Sequence, residues 1–170
     1  MAKPTGIARL SKGLIGRLMM VVVVIHAILV PLLFIGVLYI VKQGYESLFI
    51  NQVRSESHML AVLAGRDLRP ARLQTLFEEV ALSGSVVFWE VADTSGQTIA
   101  RAHGSDVRTN FKEDFFFDEY GDTVYYVSVP VNDDASMLRG VLRLGYDETP
   151  TQEQIDNTYH RGFYLAIGYI

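Results

Sequence analysis

The sequence predicts an α+β chain in which a membrane-spanning N-terminal helix continues into a long amphipathic helix packed on an antiparallel sheet of about five strands. A C-terminal helix then leads to a second span. Three observations predict this. The 24 residues from Leu18 to Val41 contain no Lys, Arg, Asp or Glu. From Lys42 to about Asp67 apolar residues recur at helical steps, without a proline. From Ser85 to Tyr146 the period shifts to strands separated by turn residues.

The apolar run predicts an uncleaved anchor. A bilayer core needs roughly 20 apolar residues at about 1.5 Å rise each. A secretory leader would carry a shorter apolar region of roughly 7–15 residues and a small-residue cleavage site; Tyr39-Ile40-Val41-Lys42-Gln43 offers none. Residues 1–17 hold Lys3, Arg9, Lys12 and Arg17 and no acid, so they are expected to form a cytoplasmic tail, with 18–41 as the span. All 19 acidic residues lie from Glu46 onward, and the 11 basic residues beyond Val41 leave that part eight units negative. Residues 42–158 are therefore expected on the far side, and the acidic balance argues against a nucleic-acid partner there. Within the span, His26 reads as a neutral imidazole on a helix–helix face, with a ligand or proton-relay role as the alternative.

About 130 residues after the span suffice for one domain with its own core. The chain has no cysteine, which removes disulfides and thiolate metal sites. On the outward helix Phe49, Val53, Leu60 and Leu63 form one stripe; Tyr45, Leu48, Gln52, Met59 and Val62 form a second. Two stripes fit one face against the domain and another against a second copy of the chain; one wide core-facing stripe is the alternative. Arg69-Pro70 ends this helix, and Pro70 suits the first turn of a second helix running to about Leu82, before Gly84.

Ser85–Val91 and Gln97–Ala102, joined through Asp93-Thr94-Ser95-Gly96, read as a hairpin. A polar-aromatic stretch follows, Asp106 to Asp122, centred on Phe115-Phe116-Phe117. Thr123–Val131 and Gly140–Tyr146, turned at Asn132-Asp133-Asp134, read as antiparallel neighbours. Tyr125, Val127 and Val129 alternate with Val124, Tyr126 and Ser128, so both faces of the sheet are expected to be covered. Thr149-Pro150 opens a last helix that reaches Phe163–Ile170, eight uncharged residues. Eight cannot cross a bilayer. Residues 159–170 are expected to open a second span cut short, with an amphipathic tail packed on the domain as the alternative.

In this order of elements, and in the block TVYYVSVPVNDDASMLRGVLRLGYD, the chain resembles the extracytoplasmic PAS-like sensor domains, the single Cache group, of bacterial transmembrane receptors. The resemblance spans roughly residues 14–170 and rests on topology and a loose strand pattern. It implies a homodimeric receptor of the bacterial inner membrane with a periplasmic domain. A missing cytoplasmic output would be a histidine kinase of a two-component system, a diguanylate cyclase or a chemotaxis signalling domain. It also implies a small ligand, for which the candidates here are Trp89, Arg101, Tyr120, Tyr125 and Arg143. An arginine fork holds a carboxylate and aromatic rings exclude water. Each also has a plainer reading: Trp89 and the tyrosines as core, and Arg143 as an edge residue whose stem packs while its head reaches water.

Glu113, Asp114, Asp118, Glu119 and Asp122 supply oxygen ligands of the kind divalent cations use, but their spacing matches no calcium loop, and a solvated loop is the expected reading. No phosphate loop, nucleophile elbow or paired-histidine motif is present, and His26, His58, His103 and His160 are scattered. Neither catalysis nor a cofactor is expected of these 170 residues. The competing class is a membrane-anchored assembly protein whose outer domain docks a partner.

Overall fold

The computed structural model describes residues 6–82, 84–103 and 111–168. They form α1 (Gly6–Arg66), α2 (Pro70–Ala81), β1 (Val86–Asp93), β2 (Thr98–His103), β3 (Val124–Asn132), β4 (Leu138–Asp147) and α3 (Thr149–Gly168). The chain divides into two compact units, Met1–Gln43 with Asn157–Ile170, and Gly44–Asp156.

In the first unit α1 passes through Pro31 without a break. Most of its large apolar side chains stand exposed, from 43% at Val30 to 71% at Met20, while Phe34 and Leu38 are half-buried. No core in this fold covers them, and one helix among the described residues is long and apolar enough to cross a membrane. His26 satisfies its ring locally, through Nδ1 and the Val22 carbonyl 2.9 Å away. α3 packs on α1 at Gly162: a Cβ there would lie 2.9 Å from Phe34 Cζ and 3.1 Å from Leu38 Cδ2. A glycine permits that approach where any side chain would wedge the helices apart.

The second unit is built on one antiparallel sheet in the order β2-β1-β4-β3. Four strands are present among the described residues, against the expected five; part of the polar-aromatic stretch, 104–110, lies outside them. The β1–β2 hairpin closes on Asp93, whose Oδ1 accepts the amides of Ser95 and Gln97 at 2.8 and 2.9 Å. Asp133 acts likewise in the β3–β4 turn, accepting the Ala135 and Met137 amides at 3.0 and 2.9 Å. Pro130 has no amide hydrogen to donate and is tolerated because β3 is an edge strand.

One face of the sheet carries the main core. Val53, Leu60, Ala61 and Ala64 of α1 and Leu73 and Phe77 of α2 pack on Trp89, Val91, Tyr125, Val127, Leu142, Leu144 and Tyr146. Both helices therefore share this face. The first α1 stripe points inward, except that Leu63 is largely exposed at the margin, and Ser57, Ala61 and Ala64 complete the contact. In the second stripe Leu48, Met59 and Val62 are exposed. The opposite face holds a smaller cluster of Phe88, Val124 and Tyr126, with Val87 and Phe111 against it. Gly145 makes room for it: a Cβ there would meet Val124 Cγ1 at 2.9 Å and Phe88 Cβ at 3.0 Å.

Candidate functional site

The acidic-aromatic stretch organises the free edge of β3. The Asp114 amide donates to the Tyr126 carbonyl at 2.8 Å, and the Asp114 carboxylate accepts the Tyr126 amide at 2.6 Å. Residues 113–115 thus run beside β3 and cover edge groups that would otherwise invite another strand. The expectation of a solvated, self-repelling loop is corrected at Asp114 and Glu119, whereas Asp118 is exposed and Glu113 and Asp122 are half-buried. Asp114 is buried, and Glu119 accepts the Phe115 and Phe116 amides at 2.6 and 3.2 Å. Backbone amides occupy these two carboxylates, of which Asp114 is the buried one. Among the described residues no group of three or more His, Asp or Glu is arranged to hold a metal ion.

Between this segment, β3 and the C-terminal part of α1 lies a cavity of about 390 Å³. Arg54 and His58, four residues apart on α1, form one wall; Glu113 and Phe115 form another; Tyr125, Val127 and Val129 form the floor. The size falls in the usual range for small-molecule sites, roughly 300–1,000 Å³. Phe49 supports the floor, edge-on to Tyr125 at 5.7 Å and to Phe117 at 5.4 Å. Burial pushes the Tyr125 phenol above its ordinary range, while the Arg54 guanidinium hydrogen-bonded to it pulls the other way. The Glu113 carboxylate lies 3.5 Å from the Ser128 amide. The cavity therefore offers cationic and imidazole donors on one side, a carboxylate on the other, and an apolar base. Such a lining can hydrogen-bond a small polar molecule over an apolar base.

The five residues singled out from the sequence do not line one cavity. Tyr125 is the member that reaches this one. Trp89 is stacked on Phe77 at 4.7 Å inside the main core. Arg143 lies on the opposite face, in the interior strand β4 rather than at an edge. Its Nη1 donates to Glu90 at 3.0 Å, and its guanidinium stands 5.3 Å from the Phe111 ring centre. Arg101 is exposed on β2, in register with Glu90. Tyr120 is exposed, with the Lys112 ammonium 4.1 Å above its ring. Burial opposes charge on Glu90, but bonds from Thr98 and Arg143 outweigh it and hold the carboxyl below its ordinary range.

Sequence reasoning passed over Arg54, Glu90 and Glu148. The i, i+4 spacing of Arg54 and His58 was a usable signal for one wall. Glu90 and Arg143 are opposite charges on two apolar strands, but nothing local says that β1 and β4 are neighbours. No protein-family model matches the chain, and no curated protein matches it.

Proposed function

We propose that this chain is the extracytoplasmic input module of a bacterial transmembrane receptor, a PAS-like domain of the single Cache kind held in the inner membrane. The observation that carries the reading is the return of α3 to the apolar helix. One residue separates β4 from α3, and Gly162 sits against Phe34 and Leu38, in the C-terminal part of the apolar run. Phe163 and Tyr164 follow, exposed and aromatic, as at a bilayer interface. Two helices that border one sensing domain and meet at membrane depth are what a signal needs to pass inward as relative displacement. The stimulus must favour one arrangement of that pair, since a ligand that binds both equally shifts nothing.

In this reading residues 1–17 are cytoplasmic, 18–41 span the inner membrane, 42–158 are periplasmic and 159–170 begin a second span. A small ligand occupies the cavity beside Arg54 and Tyr125. Leu48, Met59 and Val62 face a second copy of the chain, and the output is cytoplasmic, a histidine kinase before a diguanylate cyclase or a chemotaxis domain.

Because the chain has no cysteine, single introduced cysteines report its topology cleanly. In intact cells a membrane-impermeant maleimide should label Ser95→Cys and spare Ser11→Cys. Met59→Cys should form a disulfide-linked dimer under mild oxidation. Labelling of Ser11→Cys from outside would sink the reading.

A further inference from the structure

A single residue, Glu148, separates β4 from α3. Its amide donates to the Thr123 carbonyl at 2.8 Å, and its carbonyl accepts the Thr151 and Gln152 amides, both at 3.0 Å, opening the first turn of α3. Glu148 is only 4% exposed. Its Oε1 accepts the Asp118 amide at 3.0 Å. Asp118 has a φ of 52°, a left-handed backbone that a residue with a side chain adopts when something holds it. One buried carboxyl therefore fastens the acidic-aromatic segment to the start of the helix that ends at Gly168.

The surroundings of this carboxyl are hostile to charge. The charges bearing on it are those of Asp114, Asp118 and Asp122. Asp114 is itself buried and tied to the Tyr126 amide, so its charge cannot swing away. The Glu148 side chain is withdrawn from solvent, and like charges beside a carboxyl so placed disfavour its ionised form.

We propose that Glu148 is a proton-binding switch, whose gain or loss of one proton sets the tie between the 111–123 segment and the first turn of α3. Protonated, the carboxyl keeps an oxygen for the Asp118 amide and adds an O–H donor to a set of acceptors. It also removes one of four like charges. Ionised, it restores that charge at a buried point; the Asp118 amide still holds the carboxylate, while burial and the Asp114 and Asp122 charges work against the closed arrangement. Burial pushes the Glu148 carboxyl up to about 7; the Asp118 amide pulls against this and the three carboxylates add to it. The exchange thus falls where outside pH varies, and its effect lands on the element that leads to the membrane. The inference deepens the input-module reading by naming hydrogen ion as a stimulus, and it rests on that reading only for where the motion goes.

The test is an amide NMR titration of the full chain in lipid nanodiscs, from about pH 5 to about pH 9. The Asp118, Thr151 and Gln152 amides should shift together with one midpoint near neutrality, and Glu148→Gln should remove that transition. Asp122→Asn keeps the switch and deletes a neighbouring charge, so it should move the midpoint downward; it serves if Glu148→Gln does not fold. A wild-type midpoint in the ordinary carboxylate range, about 4–5, overturns the proposal. So does a neutral midpoint that survives Glu148→Gln. A missing transition leaves the input module with a different stimulus, whereas outside labelling of Ser11→Cys sinks that reading and leaves the titration standing.

Discussion

The Ser57 hydroxyl donates a 3.2 Å hydrogen bond to the Tyr146 hydroxyl, joining α1 to β4 across 89 positions of sequence. Both residues are buried, and burial pushes the Tyr146 phenol far above its ordinary range, with Ser57 opposing. Tyr146→Phe leaves a buried hydroxyl without this partner and should cost about 1–3 kcal/mol. Removing both groups should cost less than the two single changes together. Urea unfolding of Ser57→Ala, Tyr146→Phe and the double variant measures this; strict additivity would show that the bond contributes nothing.

Glu148→Gln should stabilise the fold at alkaline pH. A carboxyl held at about 7 in the fold binds its proton more tightly than the unfolded chain does at about 4.3. The wild type therefore loses stability as pH rises from about 4.3 to about 7, and stays penalised above it. The variant should unfold about 3–4 kcal/mol less readily at pH ~8 and about equally at pH ~4. Parallel thermal melts at the two pH values are the check.

Asp114→Ala should uncover the β3 edge. The Tyr126 amide loses its 2.6 Å charged acceptor, a loss of about 2 kcal/mol for a buried, charge-assisted bond. Hydrogen exchange at Tyr126 should speed up well before that of the β1–β4 amides, which keep their ladder partners. Unchanged protection at Tyr126 would contradict this account of the segment.

Gly162→Leu should separate α3 from α1 within their shared unit, because its side chain meets Phe34 and Leu38. Spin labels on Tyr39→Cys and Tyr159→Cys should move apart by about 2 Å, the scale on which interaxial distance follows contact residues. No change in distance would mean that the helices do not meet at Gly162.

Arg143→Ala should lower stability by about 1 kcal/mol, since its partner Glu90 is largely buried while Arg143 itself is partly open to water. Because Glu90 is held below its ordinary range, its stabilisation is present at neutral pH and is lost as pH falls toward acid; the variant should show a weaker acid dependence. Ligand affinity should be untouched by Arg143→Ala and reduced at least tenfold by Arg54→Ala, the result expected if the occupied cavity is the one between α1 and β3. Calorimetry on both variants separates the two faces.

Whatever depends on near neighbours was legible in the sequence. The apolar run, the Pro70 start of α2, the Asp93 and Asp133 turns and the β3–β4 pairing follow from period, turn chemistry and short loops. The pairing of β1 with β4 was not, because the strands are about 50 residues apart and loop closure over that length favours no particular partner. That pairing decides the site. It sets Glu90 against Arg143, so that the guanidinium is engaged by a carboxylate across the strands.

By itself the sequence determined that a long, uncharged apolar helix leads into an α+β domain, since composition and periodicity act locally and survive any packing. Only the tertiary structure decided which charges are consumed and which remain. Burial is a property of three-dimensional neighbours: it turns Asp114 and Glu148 from loop acids into structural carboxyls, puts Trp89 in the core, and leaves Arg54 and Tyr125 facing a cavity. The physical reason is that a charge is disfavoured or held according to what replaces its water, and that replacement is assembled from residues far apart in the chain.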